Sequence, residues 1–106
     1  YSASGSWSDD YCLGLLTFTK GDILDKSNWV KSKEPILKRN KDALGPGHAS
    51  FIQNSPDGKL YFAYHLFNKD CKDGWMATHA VIDTFLMVDD YPILPNAVNL
   101  YKRVHQ

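Results

Sequence analysis

A chain of 106 residues with 43% hydrophobic residues, three Trp, six Tyr and five Phe carries enough apolar surface for one small packed domain, which excludes a disordered chain. Twelve basic side chains balance twelve acidic ones, so there is no electrostatic footprint for a nucleic-acid partner. No apolar run approaches the roughly 20 residues of a membrane-spanning helix, so no membrane partner is expected.

Tyr1-Ser-Ala-Ser-Gly-Ser-Trp7 reads as the end of a strand running into a loop. Because it starts inside a strand and without Met, the N-terminus is expected to be a cut end, and the lack of a signal peptide says nothing of targeting. Tyr11–Phe18 is an apolar run rich in strand formers and too short for a helix, which predicts a strand. Residues Thr19 to Leu44 are charged and turn-rich. They predict a long irregular connection anchored by Trp29, with one short strand at Trp29–Lys31.

Gly45-Pro46-Gly47-His48 then predicts a rigid turn: the glycines reach backbone angles closed to other residues, and Pro46 fixes its own φ. Such a turn aims one side chain, His48. A strand follows at Phe51–Gln53, then a hairpin at Ser55-Pro56-Asp57-Gly58, where proline suits the first corner and glycine the position of positive φ. Lys59–Phe67 places Leu60, Phe62, Tyr64 and Leu66 on one face and Tyr61, Ala63, His65 and Phe67 on the other. Both faces are largely apolar, which predicts a central strand covered on two sides. Thr78–Val88 reads as a further strand, Asp89-Asp90-Tyr91-Pro92 as its turn, and Ile93 onward as the returning strand. Asn96 to Val104 suits either a short helix or a last strand. Short antiparallel strands without helical interludes fit a sandwich, a barrel or propeller blades, and periodicity does not choose among them.

Few residues suggest chemistry. Asp9-Asp10 and Asp89-Asp90 are sequence neighbours that point to opposite faces in extended structure, so neither pair forms a catalytic dyad. Cys12 and Cys71 lack metal-binding spacing and read as two isolated thiols, although a secreted origin would permit a bridge. His65, on an apolar strand, reads as a core histidine, and His79 is a weaker candidate still. Trp29 reads as packing. Trp7 and Trp75 lie in loop-like surroundings, where an aromatic face either stacks on a sugar ring or packs between sheets.

Taken in order and spacing, Tyr1–Trp7, Tyr11-Cys-Leu-Gly-Leu-Leu-Thr17, Gly21–Ser32, Gly45-Pro-Gly-His-Ala-Ser-Phe51 and the hairpin through His65 resemble the C-terminal part of a family 43 glycoside hydrolase. The nearest branch contains secreted α-L-arabinofuranosidases, and the resemblance runs from Tyr1 to about Pro92. It implies a five-bladed β-propeller, of which residues 1–106 would form roughly the last two blades, with the remaining blades of the same protein as partners. It also implies a secreted glycosidase that hydrolyses arabinose- or xylose-containing plant polysaccharides with inversion.

The Asp base, second Asp and Glu acid of that family would all precede Tyr1, leaving no catalytic residue in this stretch. His48 would lie near the propeller axis and help to hold a central metal ion, calcium or another cation, often through water. Trp7 and Trp75 would be the substrate-binding residues. Several positions depart from the branch: Ala49 stands where Asn is usual, the stretch around His79 lacks a pocket arginine, and Ile23 and Lys33 replace prolines. A non-catalytic carbohydrate-binding or interaction module derived from a propeller is the alternative, and a plain β-domain of similar architecture is a third reading.

Overall fold

The computed structural model describes residues 1–68, 76 and 78–98. Among them, eight strands follow one another, joined by turns and irregular segments and, before β4, by one 3-10 turn: β1 (Ser2–Ala3), β2 (Cys12–Leu13), β3 (Leu16–Phe18), β4 (Trp29–Lys31), β5 (Ala43–Ile52), β6 (Leu60–Asn68), β7 (His79–Val88) and β8 (Tyr91–Ile93). The all-β, antiparallel expectation is borne out. β1 pairs with β2, β3 with β4, and the four later strands form one sheet in chain order. The radius of gyration is 15.2 Å, against about 13 Å for a compact domain of this length, and the extents of 49 × 34 × 18 Å describe a slab.

The apolar alternation of β6 works as the sequence predicts. Phe62, Tyr64 and Leu66 are fully or almost fully buried and meet Leu13, Leu37, Val81, Phe85 and Ala97 in the core. The rings of Phe51, Phe62 and Phe85 pack as a trio with centroids 5.3 to 6.0 Å apart. On the other face Tyr61, Ala63 and His65 are only half-buried, so the two-sided cover expected for this strand is incomplete. The same face continues onto β7, where Ile82 is 68% and Leu86 66% exposed.

Tyr11–Phe18 is not one strand. The chain leaves the first pair at Leu13 and enters the second at Leu16, because Gly14 N–H donates to the Tyr1 carbonyl (2.8 Å) and Leu13 N–H to the Leu37 carbonyl (3.0 Å). The short strand at Trp29–Lys31 forms where predicted. It is preceded by a turn that Asp25 caps by accepting from the Ser27 N–H at 2.9 Å. Trp29 is a packing residue: its ring lies 5.4 Å from that of Phe18, and its Nε1–H donates to the Ile23 carbonyl.

A larger correction concerns the glycine-proline segment. It is no turn between elements but the middle of β5, which begins at Ala43 and not at Phe51. Between Leu44 and Gly47, and again between Gly47 and Ser50, three steps along β5 oppose two along β6, from Phe67 to His65 and from His65 to Ala63. Each is a β-bulge. Gly45 (φ 59°) and His48 (φ 55°) take the positive φ that the extra residues need, and Pro46, which has no N–H to give a ladder, sits within the first bulge.

The Asp89–Asp90 turn is also tighter than predicted. Both residues have positive φ (51° and 63°), the sign of a two-residue I′-type hairpin, and Tyr91 and Pro92 already pair with Val88 and Met87. Of the segment from Asn96, only residues 96–98 are described, and they form neither helix nor strand. Val98 N–H donates to the Tyr64 hydroxyl (3.0 Å), and Asn40 Nδ2 to the Ala97 carbonyl (2.8 Å), which pins this end to the core.

Two predictions follow from this packing. An alanine at position 45 would hold a strained positive φ and bring its Cβ to 2.7 Å from the Phe67 ring and 2.9 Å from the Ser8 carbonyl. Gly45→Ala is therefore expected to lower stability by about 3 kcal/mol in denaturant unfolding of the protein that contains this chain. In the hairpin, Asp57 accepts from Tyr61 O–H, Lys59 N–H and Ser55 O–H, and these bonds, the Tyr61 one foremost, lower its pKa from 3.8 to about 2. A carboxylate with a depressed folded pKa stabilises fully above its unfolded value, and that stabilisation is lost as pH falls through the folded one. Thermal melts between pH 4 and pH 2 are thus expected to fall less steeply for Asp57→Asn than for the natural chain.

Candidate functional site

The two bulges of β5 turn the alternation of the strand, so that Gly45, Pro46 and Gly47 are all buried and His48 emerges. His48 lines an open groove of about 470 Å³, together with Tyr1, Ser2, Ala49, Phe51 and Gln53. The described residues lining this groove include no Asp or Glu. Ser2 accepts a hydrogen bond from the His48 backbone N–H at 3.0 Å, tying β1 to the second bulge. Beside it the Tyr1 ring carries the Lys31 ammonium 5.8 Å above its centroid.

Behind His48 lies a row of rings. The His65 imidazole is 5.8 Å from that of His48, tilted by 39°, and 5.7 Å from the Tyr11 ring, stacked within 25°. Burial first, and then the charge of His48, hold the His65 pKa below the ordinary imidazole value. Its Nδ1 is buried and makes no hydrogen bond to the described residues. Gly47 is the register partner of His65, and a Cβ at Gly47 would lie 2.4 Å from Tyr11 Cε2. Only a glycine lets the Tyr11 ring rest on that stretch of backbone.

The other candidates lie elsewhere. Trp7 is 68% exposed and is not among the groove residues. Trp75 and Cys71 fall outside the described residues, while Cys12 is a free thiol that approaches the Ala3 carbonyl at 3.8 Å. His79 opens β7 and is half-buried. Asp9 and Asp10 sit in a turn, not in extended structure, and so converge on one partner. Arg39 Nη1 is 3.6 Å from Asp9 and Nε 3.3 Å from Asp10. All three side chains are at least half exposed, so the pairing contributes little stability.

Among the described residues, no three His, Cys, Asp or Glu side chains gather where they could hold a metal ion. Of the two predicted site residues that are described, His48 lies in the groove and Trp7 does not. The parts missed by the sequence reading are Ser2, Tyr11 and the partnership of His48 with His65, which only the bulged register brings together.

No family model matches the chain. It is 42% identical over 69 residues to an extracellular exo-α-(1→5)-L-arabinofuranosidase of Streptomyces avermitilis, a match that covers 61% of this chain and 14% of that protein. It is 34% identical over 68 residues to α-L-arabinofuranosidase B of Pyricularia oryzae, with the same two shares. The crystal structure of an α-L-arabinofuranosidase from Lactobacillus brevis superposes with a TM-score of 0.76 at 31% identity, over 92% of this chain and 32% of that one. The chain thus spans a minor part of the relatives it matches. In sequence and in fold the chain is similar to a part of these α-L-arabinofuranosidases.

Proposed function

We propose that the protein containing this chain is a secreted glycosidase that hydrolyses O-glycosidic bonds of arabinose- or xylose-containing plant polysaccharides, with inversion of configuration. The observation that carries this reading is the double match, in sequence to two named arabinofuranosidases over 61% of the chain and in structure to a third over 92% of it. In the proposed whole, this chain contributes about two of five propeller blades, and the exposed apolar face around Ile82 and Leu86 packs against a further blade of the same protein.

Inverting hydrolysis needs a carboxylic acid to protonate the leaving oxygen and a carboxylate to activate water, set roughly 6.5–9.5 Å apart. The groove residues supply neither. Asp9 and Asp10 are engaged by Arg39, Asp57 closes its hairpin, and Asp89 and Asp90 form a turn. We therefore place both carboxyl groups elsewhere in the polypeptide.

His48 is the residue of this chain that we assign to the pocket, where it would help to hold calcium or another cation. The described residues do not make a cation site by themselves, so the remaining ligands would be water or groups from other blades. Trp7, open to solvent, and Trp75 would offer stacking faces to the polysaccharide. The absence of carboxylates from the groove lining also favours a second reading, a non-catalytic carbohydrate-binding module derived from a propeller.

The whole protein is expected to release arabinose from a nitrophenyl α-L-arabinofuranoside. Proton NMR of the first-formed sugar should show the β anomer. Binding of arabino-oligosaccharide without any turnover would select the non-catalytic module instead. In the active protein, His48→Ala is expected to lower kcat by about a hundredfold with little change in melting temperature, since misplacing pocket groups by an ångström costs that order in rate. If His48 serves only the backbone, the result is the reverse: a stability loss of about 1–2 kcal/mol and unchanged turnover. Melts and kinetics on one preparation, with chelator and with added calcium, separate these outcomes.

A further inference from the structure

We infer that Tyr11 and His65 are positioning residues that aim the His48 imidazole into the groove. The inference rests on the reading of His48 as a pocket group. It starts from the backbone. His48 has a φ of 55°, sparsely populated for a residue with a Cβ, and lies beside a bulge, so a ladder of regular hydrogen bonds does not fix its direction. Ser2 Oγ holds its N–H on one side. On the other side the imidazole meets the ring of His65 at 5.8 Å.

His65 is itself held by shape. Its Nδ1 makes no hydrogen bond to the described residues, and Tyr11, 8% exposed, stacks on the ring at 5.7 Å. Tyr11 in turn is seated by the backbone: its N–H donates to the Ser8 carbonyl, the neighbouring Asp9 carbonyl accepts from Gly45 N–H at 2.9 Å, and Gly47 leaves the room its ring occupies. The row Tyr11–His65–His48 thus runs from the buried side of the first bulge to the groove. Each ring limits the rotamers of the next.

The test uses the full-length protein, with crystal structures and kinetics of four variants on the aryl arabinofuranoside. In His65→Ala the His48 imidazole is expected to take another rotamer, and kcat to fall about a hundredfold with KM within about twofold. His65→Phe, which keeps a ring in the row, is expected to restore the rotamer and most of kcat. Tyr11→Leu should behave as His65→Ala does. The double variant His48→Ala/His65→Ala should be no slower than His48→Ala alone, because both remove the same interaction.

An unmoved His48 imidazole in folded His65→Ala would overturn the inference, as would a double variant slowed by the product of the two single effects. If the natural protein turns over no arabinoside while the imidazole still swings in His65→Ala, the proposed hydrolysis fails and the positioning stands.

Discussion

The structure depends on a backbone that can bend twice within one strand. β5 runs ten residues, but its two ends pair with β6 in registers that differ by two, and the surplus is taken up beside Gly45 and His48. A regular strand would put every second side chain into the core and leave no room for the Ser8–Tyr11 turn. The bulged one accepts that turn instead: Gly45 N–H bonds to the Asp9 carbonyl, and Tyr11 lies on Gly47. β1 and β2 are therefore docked on the four-stranded sheet through its least regular strand. The groove opens where these two parts meet, with Ser2 from one and His48 from the other.

How much of this is legible in the sequence follows from the range of the interactions. The Ser55–Gly58 hairpin is local: Gly58 has a φ of 76°, its N–H returns to the Ser55 carbonyl, and Pro-Asp-Gly announces both. β6 and β7 are legible because alternation over nine or ten residues leaves no other period. The break at Gly14 is not, since its cause is a pair of backbone bonds to Tyr1 and Leu37 that lie far off along the chain. Gly45-Pro46-Gly47 misleads in an informative way. The residue types announce special φ angles correctly, but a bulge and a turn ask for the same residues, and only the partner strand distinguishes them. His48 could thus be singled out from its motif, whereas its neighbour His65 could not be paired with it until the register was known.

The charged groups of the described residues serve local structure, and none of them lines the groove as a carboxylate. Six described aspartates are occupied in local structure: Asp22 and Asp25 hold backbone N–H groups around the 3-10 turn, Asp57 holds its hairpin, Asp83 accepts from the Thr84 N–H, and Asp9 and Asp10 share Arg39. A general acid needs a raised pKa, which comes from apolar burial or a nearby like charge. Asp25 and Asp57, by contrast, have their pKa values lowered by hydrogen bonds. That is the direction of a structural carboxylate.

The flat shape goes with an open groove and an exposed apolar face. A small domain that folded for itself would turn Ile82 and Leu86 inward, yet both lie more than three-fifths exposed on the outer face of β7, next to Ala63 and Tyr61 of β6. Their hydrophobic contribution is not realised within this chain, since about 25 cal/mol per Å² is gained only on covering such surface. The groove shows the same incompleteness in its chemistry: it has aromatic walls, one imidazole and a glutamine, but no acid. The further blade proposed above would meet both at once, covering the apolar face of β7 and bringing carboxyl groups to the groove.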